Sequence, residues 1–157
     1  MTTPIYRRIR RIAIVTFATA LFAAASGRAV EFGVRAGGYL DEHDPFVGLE
    51  LFVPLGSGAW AFDPNVEAAF GDATDRLSFN ADFRFNFLAD SRYAVFGGFG
   101  PAFIHLDRKR GRDDEDDFGV NLFGGADWRL DGFTPYAQIK VVASDESEVV
   151  AAVGVRF

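Results

Sequence analysis

The chain has 157 residues, of which 49% are hydrophobic and 15% aromatic, and it contains no cysteine. This length and composition are enough for one domain with a buried core, which excludes a disordered tail or a disulfide-stapled miniprotein. Five arginines and no acid lie in the first 29 residues, so the remaining body has 11 basic against 22 acidic residues. A nucleic-acid partner is not expected, because phosphate binding requires a basic face.

The first segment, residues 1–29, combines a basic start, an apolar run of 14 residues and small residues at its end. This order is typical of a secretory signal peptide. The apolar run is shorter than the roughly 20 residues that a membrane-spanning helix needs. We therefore predict a signal peptide at 1–29 and a mature domain at 30–157, with cleavage after Ala29 or, alternatively, after Ala25.

The mature domain shows apolar and polar residues in strict alternation, most clearly from Leu77 to Leu88. There the leucine, alanine and phenylalanine side chains share one face, and the serine, asparagine, aspartate and arginine side chains share the other. A strand separates these two sets, whereas a helix would mix them. The same pattern predicts strands at about 30–40, 45–53, 59–70, 77–88, 93–104, 118–130, 134–143 and 148–157.

Connections of two kinds alternate between these predicted strands. Short turn sequences such as 54–58 alternate with more charged loops, of which 105–117 is the longest. Arg76 is expected in the solvated loop 71–76. Alternating turns and loops predict an up-and-down meander with two different ends.

The charges decide which face points inward. If the phenylalanines of the strands point outward, five cations and six anions point into the interior and the outer face carries no charge. A soluble sandwich or a lipocalin, the alternative, would place its charges outside. We therefore predict an all-β, eight-stranded antiparallel up-and-down transmembrane β-barrel. The expected interior charges are Glu31, Arg35, Glu50, Asp63, Glu67, Asp82, Arg84, Asp127, Arg129, Lys140 and Arg156.

Aromatic residues also gather near the predicted strand ends, as they do at the two interfaces of a membrane. The set comprises Trp60, Phe62, Tyr93, Trp128, Phe133 and Phe157 toward the turns, and Phe46, Phe70, Phe103 and Phe118 toward the loops. Glycines at inward positions would leave room for long polar side chains in a narrow interior.

The last strand places Val149, Val153, Val155 and the terminal Phe157 on one face. It resembles the closing strand of bacterial outer-membrane β-barrels. The mature domain is similar to the small porin-like family that includes the outer-membrane protein A transmembrane domain and the opacity-type proteins. The resemblance implies a monomer in the bacterial outer membrane, surrounded by lipid and lipopolysaccharide. It also implies assembly by periplasmic chaperones and the barrel assembly machinery, with Val153, Val155 and Phe157 as the assembly signal.

Eight strands enclose an interior that side chains can fill, so a broad aqueous channel is excluded. The sequence favours a non-enzymatic structural barrel that supports envelope integrity, sealed by ion pairs in which Arg84 takes part. A narrow pore for small solutes or ions is the alternative. A third possibility is surface adhesion or lipopolysaccharide contact through loop 105–117, where Arg108, Lys109, Arg110 and Arg112 would meet phosphates.

Enzymatic chemistry has little support in the sequence. The two histidines, His43 and His105, have no serine in a recognisable partner motif. No glycine-rich phosphate loop opens a helix, and two distant histidines do not make a metal site. We expect no cofactor and no bound metal.

Overall fold

The computed structural model describes residues 30–56, 59–90, 92–108, 115–145 and 147–157, so the predicted signal peptide lies outside the described residues. The described part contains all eight predicted strands. They are β1 (Glu31–Tyr39), β2 (Asp44–Leu55), β3 (Trp60–Phe70), β4 (Thr74–Ala89), β5 (Tyr93–Arg108), β6 (Glu115–Trp128), β7 (Thr134–Ala143) and β8 (Glu148–Arg156).

Each strand pairs antiparallel with its neighbour in the chain, and β1 pairs with β8 to close the sheet into a barrel. The closing ladder runs from Gly33 opposite Arg156 to Tyr39 opposite Val150. Closure satisfies the backbone groups that an open edge strand would expose. The predicted eight-stranded up-and-down barrel is therefore confirmed. Among the described residues, no helix is long and apolar enough to cross a membrane.

The barrel has two ends. The turn end carries the connections 56–59, 90–92 and 129–133, and also the start of β1 and the end of β8. The loop end carries the connections 40–43, 71–73, 109–114 and 144–147. In the turn 129–133, Gly132 has a φ of 88°, a backbone conformation that glycine adopts without a steric penalty.

The predicted loops 71–76 and 105–117 are shorter than expected. Strand β4 begins at Thr74 and therefore includes Arg76. Strand β5 extends to Arg108 and β6 begins at Glu115, and residues 109–114 lie outside the described residues. The added strand segments are joined by polar pairs: His105 Nδ1 lies 2.6 Å from Asp116 Oδ1, and Arg108 pairs with Glu115. Opposite charges on facing strands stabilise a ladder, so the described parts of this charged tract, 105–108 and 115–117, extend β5 and β6.

The barrel is apolar outside and charged inside. Large side chains such as Phe79, Phe99 and Leu122 are exposed on the outer face, whereas Glu67, Lys140 and Arg156 are each 1% exposed. Most of the aromatic residues predicted near the strand ends lie on the outer face, but Phe46 does not. It points inward and is 2% exposed, because it shares the inward parity of Gly48 and Glu50.

Candidate functional site

The interior of the barrel is the candidate site. Nine of the eleven predicted interior charges are buried in it: Arg35, Glu50, Asp63, Glu67, Asp82, Arg84, Asp127, Lys140 and Arg156. Glu31, the first residue of β1, is half-buried at the turn-end rim. The prediction that Arg129 points into the interior is wrong, because β6 ends at Trp128. The exposed Arg129 side chain donates to the backbone oxygen of Asp90 at 3.3 Å.

A charge network fills the interior near the turn end. Asp127 on β6 accepts from both Arg84 on β4 and Arg156 on β8, the latter at 2.8 Å. Arg156 also lies 3.8 Å from Glu50, which accepts a hydrogen bond from the Tyr136 hydroxyl. One carboxylate thus joins strands on opposite sides of the barrel, and a tyrosine adds a neutral donor.

The network continues toward the middle of the barrel through Arg35. Its guanidinium lies 3.5 Å from Glu50 and 3.2 Å from Glu67. Lys140 donates to Glu67 at 2.7 Å. Charges removed from water need such partners, because an isolated buried charge is strongly unfavourable. We call the seven residues of these two regions the charge network: Arg35, Glu50, Glu67, Arg84, Asp127, Lys140 and Arg156.

Aromatic rings pack against two arginines of the charge network. The Arg84 guanidinium lies 3.5 Å from the centre of the Phe96 ring, and that of Arg156 lies 4.2 Å from the centre of Phe52. Arg84 also donates to Asn86 from Nε at 3.1 Å. Cation–π contacts strengthen when water is excluded. These inward rings were not predicted from the sequence, although the alternation along β2 and β5 places both of them on the inward face.

A second polar group lies next to the charge network in the middle of the barrel. Asn65 donates to Asp82 at 3.0 Å, and Asn80 donates to Asn65 at 2.8 Å. Asn121 closes the cycle by lying 2.8 Å from Asn80 Oδ1 and 2.9 Å from Asp82 Oδ1. We call these four residues the amide ring. It holds Asp82 with neutral donors, so this carboxylate is hydrogen-bonded without an ion pair.

The interior near the loop end is apolar. Its buried cluster, which we call the apolar plug, comprises Tyr39, Phe46, Ala69, Ala102, Ile104, Val142, Val150 and Ala152. The Tyr39 and Phe46 rings meet edge to face with centres 6.0 Å apart. The apolar plug was not predicted from the sequence, although the alternation contains the signal. Val142 lies two residues after Lys140, and Tyr39 lies two residues after Gly37, so both share the inward face of those residues.

An ion pair covers the apolar plug. Arg76 donates to Glu148 at 2.6 Å, lies 3.5 Å from Glu42 and places its guanidinium 4.2 Å from the centre of the Tyr39 ring. Partial burial raises the pKa of the Glu42 carboxyl, and the Arg76 charge opposes that shift. We call Arg76 and Glu148 the loop-end cap. Arg76 is therefore a packed residue and not the solvated loop residue that the sequence predicted.

Glycine makes this dense interior possible. A side chain at Gly154 would collide with the ring of Tyr136, and one at Gly33 would collide with Glu50 and Arg156. The large inward side chains of one strand therefore occupy the space above glycines of the next strand.

Among the described residues, His105, the one histidine in a strand, has no serine on its own face of the sheet. It points outward at the loop end and contacts Asp116, while Ser78 on the neighbouring strand β4 is buried in the interior. Within the described parts of β4, β5 and β6, no serine shares the outward face of His105. This arrangement contains an acid and an imidazole but no hydroxyl for acyl transfer.

The remaining predicted site residues lie at the two ends of the barrel. Arg108, at the end of β5, pairs with Glu115, while Lys109, Arg110 and Arg112 lie outside the described residues. At the other end, Val153 and Phe157 are exposed on the outer face, and Val155 is half-buried between them.

Comparison with solved structures finds similar barrels. The N-terminal β-barrel domain of Pseudomonas aeruginosa OprF has a TM-score of 0.71 at 14% identity, covering 82% of this chain and 95% of that one. Neisserial surface protein A has a TM-score of 0.61 at 10% identity, with coverages of 81% and 92%. The outer-membrane enzyme PagL has a TM-score of 0.52 at 12% identity, with coverages of 82% and 99%.

Sequence comparison identifies no matching family model and no matching curated protein. The structural neighbours include both an enzyme and proteins not described as enzymes, so the shared architecture does not assign an activity. Three observations indicate the same fold: the closed eight-stranded antiparallel sheet, the alternation of inward and outward residues along each strand, and the structural neighbours. The chain has the fold of the small eight-stranded outer-membrane β-barrels.

Proposed function

We propose that the chain spans the bacterial outer membrane as a sealed, non-enzymatic barrel that supports envelope integrity. The observation that carries this proposal is the inverted distribution of polarity. Nine predicted interior charges are buried, while residues such as Leu122, Phe79 and Ile139 are 47–61% exposed on the outer face. In water such an outer face would be unfavourable, whereas in lipid it is the expected surface of a membrane barrel.

A charged residue placed on the outer face tests the membrane location. Leu122 lies near the middle of β6 and is 56% exposed. In a lipid bilayer, Leu122→Lys should destabilise the barrel by about 2–4 kcal/mol, the cost of a cation near the midplane. In a soluble barrel, a lysine at an exposed position would cost almost nothing.

The measurement is urea unfolding from lipid vesicles, with Asp131→Lys in the exposed turn 129–133 as the control. Equal stability of the two variants would contradict the membrane location. Cell fractionation, with a gel comparing boiled and unboiled protein, gives an independent check. A soluble product with no faster-migrating folded form would favour the lipocalin-like alternative.

A sealed interior is supported by the side chains that fill it along the barrel axis. The charge network extends from the turn end to the middle, where the amide ring lies beside it, and the apolar plug with its cap fills the loop end. An apolar constriction excludes ions because an ion that passed through it would lose its hydration shell without gaining other ligands. In planar bilayers the purified barrel should therefore show no steady conductance. Reproducible single-channel steps would favour the narrow pore instead.

The non-enzymatic part of the proposal is supported by the missing hydroxyl near His105. Incubation of the purified protein with lipopolysaccharide and phospholipid, followed by mass spectrometry of the lipids, tests it. No change in acyl chain number is expected. A deacylated or acylated product that disappears in His105→Ala would contradict the proposal.

A further inference from the structure

The buried charges of the described interior do not balance. The charge network contains four cations and three carboxylates, so it carries a charge of +1. Asp63 and Asp82 add two further carboxylates, so the nine residues carry a total charge of −1 when all of them are ionised. Arg76 and Glu148 form a separate neutral pair nearer the loop end.

The surplus negative charge is localised at Asp63 and Asp82. These two residues are direct register partners on β3 and β4, and both point inward, so their carboxylates share one part of the interior. Within the described residues, no Lys, Arg or His nitrogen lies within 4.0 Å of either carboxylate. The cations that act on these carboxylates, Lys140 and Arg35 on Asp82 and Arg35 and Arg156 on Asp63, do so from more than 4.0 Å.

Asp63 differs from Asp82 in its hydrogen bonding. Asp82 accepts hydrogen bonds from Asn65 and Asn121. The Oδ1 atom of Asp63 is buried and has no hydrogen-bond partner among the described residues, and the same is true of Asn121 Oδ1. Glu50, Glu67 and Asp127 also have one such oxygen each, but each of these carboxylates has a cation within 4.0 Å, and Asp63 has none. Buried carboxylate oxygens are nearly always satisfied by a donor, a water or an ion. The Oδ1 atom of Asp63 is therefore a buried acceptor that the described side chains leave available to a ligand.

We propose that the middle of the barrel binds one small monovalent metal cation at Asp63, beside Asp82 and the amide ring. The ligand chemistry fits, because carboxylate and amide oxygens are the donors that hard cations prefer. The charge fits as well: one monovalent cation brings the nine buried charges from −1 to neutrality, whereas a divalent cation would leave +1. The proposal concerns a resident ion and holds whether or not the barrel conducts.

Unfolding in different salts tests the site. The barrel is unfolded and refolded with urea in detergent micelles at constant ionic strength, in NaCl, KCl or N-methylglucamine chloride. A ligand that binds only the folded state stabilises it by RT ln(1 + L/Kd), where L is the concentration of free ligand. We expect a higher urea midpoint in Na⁺ or K⁺ than in the bulky organic cation, which is too large for the interior.

Asp63→Asn should remove this dependence on the cation, and Asp131→Asn in the exposed turn should retain it. If Asp63→Asn does not fold, Asp82→Asn is the second variant, and crystals soaked in a thallium(I) salt give a direct readout as an anomalous peak beside Asp63. Equal midpoints in all three salts, or an unchanged dependence in Asp63→Asn, would overturn the proposal. Stability that responds to pH but not to the cation would also overturn it, since a proton would then neutralise the surplus charge.

Discussion

The two halves of the barrel interior are filled by different means. Near the turn end, long charged side chains reach across the interior, and Asp127 on β6 meets Arg84 on β4 and Arg156 on β8. Near the loop end, the uncharged side chains of Phe46, Ile104 and Val150 fill the interior. Charge pairing ties distant strands together but depends on every partner, whereas apolar packing tolerates small changes and excludes ions.

The largest expected effect comes from removing the shared carboxylate of the turn-end half. Asp127→Ala leaves Arg84 without an ionic partner and leaves Arg156 with only Glu50, at 3.8 Å. A buried charge left unpaired costs about 3–5 kcal/mol. Urea unfolding from lipid vesicles should show this loss, while Asp131→Ala in the exposed turn should cost less than about 1 kcal/mol. Similar stabilities for the two variants would mean that water enters the turn-end half and screens its charges.

The loop-end half should respond to a change of volume. Ile104 is 4% exposed within the apolar plug, so Ile104→Ala should destabilise the barrel by about 2–5 kcal/mol through lost contacts and a cavity. Leu130→Ala, at an exposed position 52% accessible at the turn end, is the matched control. The stability measurement is combined with planar-bilayer recording. If Ile104→Ala conducts and Asp127→Ala does not, the apolar plug is the barrier to ions.

Close packing within the turn-end half can be tested through glycine. Gly154→Ala places a methyl group against the Tyr136 ring, which is already fixed by its hydrogen bond to Glu50. Overpacking of this kind typically costs about 1–3 kcal/mol. Gly124→Ala is the control, because its nearest neighbour, the Phe96 backbone oxygen, is at an ordinary 3.5 Å. An unfolding midpoint for Gly154→Ala equal to that of Gly124→Ala would indicate that Tyr136 moves freely.

Alternation along the sequence was sufficient to predict the strands and the direction of most interior charges. A period of two determines which face a residue occupies, so Arg84, Asp127 and Lys140 could be assigned to the interior one strand at a time. It fails where a strand ends. Arg129 has the inward parity of Asp127, yet it lies beyond Trp128 and outside the ladder.

Partners across the interior could not be predicted in the same way. The contact between Asp127 and Arg156 depends on how β6, β7 and β8 are staggered, and that stagger arises from the closure of the whole barrel. The amide ring could not be predicted for a related reason. Asn65, Asn80 and Asn121 are ordinary polar residues in their own strands, and only the register brings them together.

The smallest expected effect, that of Arg108→Ala, distinguishes the surface of the loop end from the loop-end cap. Arg76 and Glu148 have side chains only 11% and 9% exposed, whereas those of Arg108 and Glu115 are 33% and 52% exposed. Arg76→Ala leaves the buried Glu148 carboxylate without its donor and removes a cation from the Tyr39 ring, which should cost about 1–3 kcal/mol. Arg108→Ala breaks an exposed pair that solvent screens, so its cost should stay below about 1 kcal/mol.

Urea unfolding of both variants at low and high salt makes the comparison. Because the buried pair is shielded from ions in solution, the difference between the variants should persist at high salt. If high salt removes it, the loop-end cap is open to water and does not cover the apolar plug.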